Sequence, residues 1–197
     1  NMAAHHKAAI IEMGMSGLGE IRTLARLAMP AVGVITNISA AHLQFLGSTD
    51  TVAEAKGELL QTMRSDGTAV LNADDRYFTI LRSKYSGRIL SFGIEHPAHI
   101  RAEDIRQVRD LTDMNLHADG RSVPVRLRTV GRHNVYNALA AAAAALATGL
   151  PLETVKFGLE EFHPVAMRSE LKDVKGRTIL ADYYNANPAS VTAALET

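Results

Sequence analysis

Several apolar runs in this sequence end on side chains capable of chemistry. Glu12 follows "AAII" and is itself followed by glycines 14, 17 and 19. Asn37 closes "AVGVITN", with His42 five residues later. "VLNADD" ends on Asn72, Asp74 and Asp75, and "ILADYYNANP" carries Asp182, Asn185 and Asn187. Carboxylates joined by a histidine can hold a divalent cation, and magnesium favours oxygen donors with retained waters. Each piece also has a plain structural reading. Glu12 can cap the glycine turn, His42 can be a hydrogen-bonded structural histidine, and "NADD" is a good turn sequence in any protein.

Lys56 adds a second kind of chemistry. Read as a helix, "TVAEAKGELL" (51–60) aligns Val52, Lys56 and Leu60 at four-residue spacing, with Leu59 and Met63 widening the stripe. A lysine in that row can lay its stem along apolar surface and keep its ammonium in water. If it is buried, its pKa falls and neutral amine accumulates. A neutral amine is nucleophilic even toward carbon dioxide, and the resulting carbamate would turn a cation into an anionic oxygen ligand able to share a metal with His42.

These groups converge only if the runs that carry them are parallel strands of one sheet, because ligands collect beyond the carboxyl ends of such strands. The pattern supports this arrangement. Strands are expected at "AAIIEMG", "AVGVITN", "GTAVLNADD" and "GRILSFGI", with helices at "GEIRTLARLAM", around Lys56 and at "YFTILRSKY". Thr51 and Glu54 are placed to form a capping box for the Lys56 helix. Continuous apolar strands alternating with helices indicate an α/β fold, a mostly parallel central sheet flanked by helices. From roughly 98 to 130 the pattern changes to polar–apolar alternation with a turn at "ADGRS", expected as a small antiparallel β subdomain. Helices return at "NVYNALAAAAAALATG" and "PLETVKFGLEEF". In the first of these, Asn134 and Asn137 can serve a helix start by capping alone. A strand at "RTILA" and a helix with Pro188 in its first turn follow.

The composition narrows the function classes. The chain has 197 residues, 47% of them hydrophobic, enough for one large domain. Lys plus Arg and Asp plus Glu number 21 each, which argues against a broad nucleic-acid footprint. No cysteine is present, so disulfides and thiolate metal sites are excluded. No apolar run reaches the ~18 residues of a membrane span. Neither a G-x-x-x-x-G-K-[ST] loop nor G-x-G-x-x-G occurs.

Five blocks taken together, "EMGMSGLGEI", "TNISAAHLQFLGSTDTVAEAKGELL", "VLNADD", "GRHNVYNALAA" and "ADYYNANPAS", resemble the central domain of the Mur ligases across essentially the whole chain. These are ATP-dependent amide-forming enzymes of peptidoglycan synthesis with a P-loop NTPase-like central domain. "YNANP" with "EMG…GEI" points to the branch that adds D-alanyl-D-alanine to a UDP-N-acetylmuramoyl-tripeptide. The resemblance implies a cytoplasmic enzyme using ATP and Mg2+. It implies Glu12, His42 and a carbamylated Lys56 as metal ligands and catalytic groups. It implies Asn137, with Asn134 nearby, at the adenine, Arg168 near the nucleotide phosphates and Asp182 at the ribose, with Asn185 and Asn187 in the family's hallmark loop. Here that loop reads Ala181, Asp182, Tyr183, where the family more often has two aspartates and a serine.

Both ends are expected to be cuts. The phosphate loop, the UDP-sugar domain and a carboxy-terminal domain are expected outside residues 1–197, and the segment alone is expected to be inactive. A sibling Mur ligase, a folylpolyglutamate-type ligase and a non-catalytic nucleotide-binding module are the alternatives.

Overall fold

The computed structural model describes residues 3, 5–39 and 46–197. Strands β1 (Val32–Ile35), β2 (Thr68–Asn72) and β3 (Arg88–Gly93) lie side by side and parallel, so their carboxyl ends share one edge. β3 also pairs in parallel with β4 (Ile100–Val108), which continues antiparallel into β5 (Leu111–Ala118) and β6 (Arg121–Leu127). The antiparallel strands expected over roughly 98–130 thus form, but they extend the central sheet into one of six strands, in the order β1 to β6. The short parallel pairing of Phe92 and Gly93 with Ile100 and Arg101 makes the join.

The apolar runs of β1 to β3 are buried on both faces because helices cover both. Ala69 and Leu71 of β2 pack with Ile35 against α1 (Glu20–Ala28), α2 (Thr49–Thr62) and α3 (Phe78–Ser83). Val70 points to the other face and packs with Leu90 and Phe92 against α4 (Arg132–Ala147) and α5 (Leu152–Glu160). A strand's side chains alternate between faces, so such a strand reads as a near-continuous apolar run, its buried polar residues limited to the small Thr68 and Ser91. Hairpin β7 (Glu170–Val174) and β8 (Arg177–Ala181) forms a separate two-stranded sheet, followed by α6 (Pro188–Leu195). Among the described residues no helix is long and apolar enough to cross a membrane.

Several elements differ from the sequence expectation. Residues 8–14 form no strand, and Ile10 and Ile11 are exposed. An apolar run becomes a strand only when a neighbour takes its backbone donors and acceptors, and no strand of the sheet pairs with this segment. β7 was not expected, since "ELKDV" is polar and mostly solvent-facing. α2 is capped by Ser48, whose side chain accepts from the Thr51 N–H; Thr51 already lies inside the helix. In α1 the inward pair is Ile21 and Ala25, four residues apart, while Leu27 stays exposed.

Glu58 of α2 is a buried carboxylate that sequence reading passed over. Its two oxygens accept the N–H groups of Gly19 (2.7 Å) and Arg22 (3.1 Å), the first donors of α1. Gly19 has no side chain to cap that helix, so α2 supplies the cap and fixes α1 against itself.

Gly87 shows how tightly the sheet's lower edge is closed. A Cβ there would lie 2.4 Å from the Ser65 carbonyl oxygen and 2.6 Å from the Tyr85 ring. Tyr85 is itself fixed, its hydroxyl donating to the Arg64 carbonyl at 2.6 Å. The backbone at Ser65 cannot yield as a flexible side chain would. We expect Gly87→Ala to destabilise the chain by about 2 kcal/mol, read as a lower urea midpoint at unchanged m-value.

Candidate functional site

The shared carboxyl edge of β1, β2 and β3 carries the polar groups. Lys56 reaches it from α2. Val52 and Leu60, one helical turn on either side in the same row, are almost fully buried, which forces the lysine stem inward. Its Nζ donates to the Asn37 carbonyl oxygen just beyond β1, at 2.8 Å. Burial lowers the Lys56 pKa, and the nearby Asp75 carboxylate opposes that only in part.

Asp74 and Asp75 each tie neighbouring loops together. Asp75 accepts the Ile38 N–H at 2.6 Å and the Tyr77 N–H at 2.8 Å, one on each oxygen. It thereby ties the loop after β1 to the loop after β2. Asp74 accepts three successive backbone N–H groups beyond β3, from Ile94 (2.6 Å), Glu95 (3.0 Å) and His96 (2.7 Å). It also takes the Tyr136 hydroxyl at 2.8 Å and lies 2.9 Å from the His96 ring Nδ1. Burial alone would raise the Asp74 pKa; the three peptide donors and the phenol outweigh it and bring it down to about 2. Burial, reinforced by the same contact, pushes the Tyr136 hydroxyl up to about 12. Both carboxylates thus anchor loops, in keeping with the turn reading of "NADD". The cause is the dense supply of peptide N–H groups at the strand ends. Gly93 permits the approach, since a Cβ there would meet the Asp74 carboxylate at 3.0 Å.

Tyr136 belongs to α4, so Asp74 brings the first turn of that helix to the same edge. A second tie joins Arg132 of α4 to Glu95. Asn134 donates from Nδ2 to Thr129 Oγ1 (2.9 Å) and to the Val130 carbonyl (2.8 Å). It holds the loop before α4 and does not cap the helix, whose N-cap is Gly131. Asn137 is exposed and donates its Nδ2 to Asn134 Oδ1 at 3.2 Å.

The late segment comes to α4 through Ser169. Asp182, one residue beyond β8, accepts the Ser169 N–H at 2.8 Å, and Ser169 Oγ lies 2.9 Å from His133 Nε2. The Arg168 guanidinium stacks over the Tyr184 ring at 4.2 Å from its centre. Tyr183 is exposed, so its bulk beside Asp182 is accommodated by solvent. Asn187 caps α6 in a capping box with Ser190, while Asn185 is exposed.

Glu12 is exposed in the segment before α1, and His42 lies outside the described residues. Among the described residues no group of three His, Asp or Glu side chains is close enough to hold a metal ion. Tyr136, His96, Arg132, His133, Ser169 and Glu58 were not singled out by sequence reading. A local signal existed only for Glu58, a charge among the buried positions of α2, as for Lys56.

The arrangement has known counterparts. The family model described as "Mur ligase middle domain" matches residues 1–145. The chain is 35% identical over 196 residues to a Bacillus subtilis (strain 168) UDP-N-acetylmuramoyl-tripeptide–D-alanyl-D-alanine ligase, covering 99% of this chain and 42% of that protein. Its fold is similar to that of an Acinetobacter baumannii MurF crystal structure, with TM-score 0.94 and 33% identity, covering 99% of this chain and 43% of that one. It is also similar to a Thermotoga maritima MurF ligase in complex with ADP, with TM-score 0.85 and 26% identity, covering 93% of this chain and 42% of that one. The chain spans about two fifths of the length of the curated relatives it matches. A parallel sheet edge carrying these residues, and a family model that matches most of the sequence, lead to one conclusion: the chain belongs to the Mur ligase middle domain family.

Proposed function

We propose that the chain is the nucleotide-binding middle segment of a cytoplasmic, ATP-dependent amide ligase that joins D-alanyl-D-alanine to a UDP-N-acetylmuramoyl-tripeptide. The observation that carries this reading is the likeness to ligases of that name over 99% of the chain. In the proposed reaction a substrate carboxylate attacks the γ-phosphate of ATP and releases ADP. The amine of D-alanyl-D-alanine then attacks the acyl phosphate carbon and displaces phosphate.

The chain's own residues take positioning roles in this reading. Asn137, braced by Asn134, is suited to adenine, since an amide can pair with a base that offers a donor beside an acceptor. Asp182 offers a carboxylate to the ribose hydroxyls, and Arg168 a guanidinium to phosphate oxygens. Asn185 lies exposed beside them, and Asn187 orders α6 behind the loop. Glu12 would hold one Mg2+, and His42 with a carbamylated Lys56 a second. The donor chemistry fits such ions, a carboxylate for the first and an anionic carbamate with an imidazole for the second. The Lys56 contact fits as well: a carbamate nitrogen keeps one N–H, enough to go on donating to the Asn37 carbonyl. When bound, the ions supply charge neutralisation around the phosphates.

The test is turnover by the full-length protein with ATP, Mg2+ and both substrates. Phosphate release should match amide formation and require the tripeptide and D-alanyl-D-alanine together. Product formed only with another amino acid would move the assignment to a sibling ligase. ATP binding without turnover under any substrate mix would reduce it to a binding module. The 197-residue chain alone is expected to give little or no product, because it carries no phosphate loop to cradle ATP; robust amide formation by it would overturn that expectation.

A further inference from the structure

The hairpin β7–β8 carries two of the proposed nucleotide contacts, Arg168 just before β7 and Asp182 just after β8, yet it has little packing to hold it in place. Its strands are mostly exposed, and among the described residues no other element packs on it extensively. Asn137, the proposed adenine contact, lies on α4. The base and the ribose of one nucleotide would therefore be read by two elements that need a fixed relation to each other.

One hydrogen-bonded chain supplies that relation. Ser169 is buried and has a left-handed backbone (φ 50) that a serine rarely adopts. In this conformation its peptide N–H donates to Asp182 Oδ1 at 2.8 Å. Its hydroxyl, 3.5 Å from the same oxygen, meets His133 Nε2 at 2.9 Å. Burial lowers the His133 pKa, with the Asp182 carboxylate opposing only in part, which favours a neutral ring. Nε2 and the Ser169 hydroxyl share one hydrogen bond, in which either can be the donor according to the ring tautomer. The other ring nitrogen, Nδ1, is buried and has no hydrogen-bond partner among the described residues. The polar contact of His133 is thus the one with Ser169.

We propose that His133 and Ser169 are positioning residues that hold Asp182 for the nucleotide ribose, locking the hairpin to the first turn of α4. The proposal rests on the reading of Asp182 as the ribose contact. Without the lock, Asp182 loses the support of Ser169 and turns away from the ribose, while the adenine and phosphate contacts persist.

Affinities for ATP and for 2′,3′-dideoxyATP, measured on the full-length protein, test this. His133→Leu should weaken ATP binding about 5–10-fold, the range of one lost hydrogen bond, and leave dideoxyATP within about twofold. His133→Gln, whose side-chain amide can donate or accept in place of Nε2, should restore most of the preference for ATP. Ser169→Ala, which removes the same hydrogen bond from its other end, should give the same signature as the leucine variant. Asp182→Asn is the control. If it erases the ATP preference while His133→Leu and Ser169→Ala keep it, the lock is refuted and the ribose reading survives. If Asp182→Asn leaves the preference intact, the ribose reading fails and takes the proposal with it. A variant that weakens both nucleotides equally has only a structural role, which also overturns the proposal. Should the leucine variant not fold, the glutamine and alanine variants decide.

Discussion

Asp74→Ala is expected to lower the stability of the chain by about 3 kcal/mol, the largest effect of any single truncation at the sheet edge. The carboxylate side chain is only 7% exposed and accepts from Ile94, Glu95 and His96 N–H groups and the Tyr136 hydroxyl. Alanine leaves all four donors without their acceptor, and those screened from water cost about 1–3 kcal/mol each. Asp74→Asn should recover part of the loss, since one acceptor oxygen survives. Tyr136→Phe should cost about 1 kcal/mol.

The pH dependence gives an independent reading of the same site. The folded pKa is about 2, against 3.8 for the ordinary group. A depressed carboxylate stabilises the fold above its unfolded pKa and loses that contribution as pH falls through the folded value. Asp74 should therefore contribute about 2 kcal/mol at neutral pH, lost between about pH 5 and pH 2. Urea midpoints across that window should fall less steeply in Asp74→Asn than in the wild type. Equal slopes would show that Asp74 is not held as the geometry indicates.

The second large effect is expected at Lys56, and it concerns activity more than stability. Lys56→Met in the full-length protein should lower amide formation by about 100-fold or more, the scale for losing a group that holds a catalytic metal. Stability should change by less than about 1 kcal/mol. The lost hydrogen bond to Asn37 is offset because a partly buried cation is no longer desolvated. In the carbamate reading the neutral amine attacks carbon dioxide, a nitrogen–carbon bond forms, and one proton passes to water. Protein equilibrated with 13C-bicarbonate should then show a carbamate carbonyl resonance that Lys56→Met lacks. Lys56→Arg keeps the positive charge but cannot form that carbamate, and it should be as inactive as the methionine variant. An active arginine variant would show that charge alone is needed there.

Much of the architecture is legible in the sequence. Apolar runs of four to six residues alternating with helical spacing specify β1 to β3 and α2 to α4, because a parallel strand buried on both faces is near-continuously apolar. The Val52–Lys56–Leu60 row places the lysine against the core, and its carbonyl partner stands at the end of the neighbouring strand. The polar residues after each run mark the edge where ligands gather.

Partners distant in sequence were settled only by tertiary structure. Nothing near "NADD" announces that Asp74 will bind the hydroxyl of a tyrosine 62 residues later. Nothing in "RHN" announces that His133 will meet Ser169, 36 residues on. Periodicity reports which side of an element is buried and is silent about which side chain waits there. The same limit explains "AAIIEMG": its pattern suits a buried strand, but a strand exists only where a neighbour pairs with its backbone. The sequence by itself determined the order and burial of most elements and the type of chemistry at their ends. Tertiary structure decided which of those groups anchor loops, as Asp74 and Asp75 do, and which are left for a ligand. That division follows from where backbone donors fall in space, which local spacing does not encode.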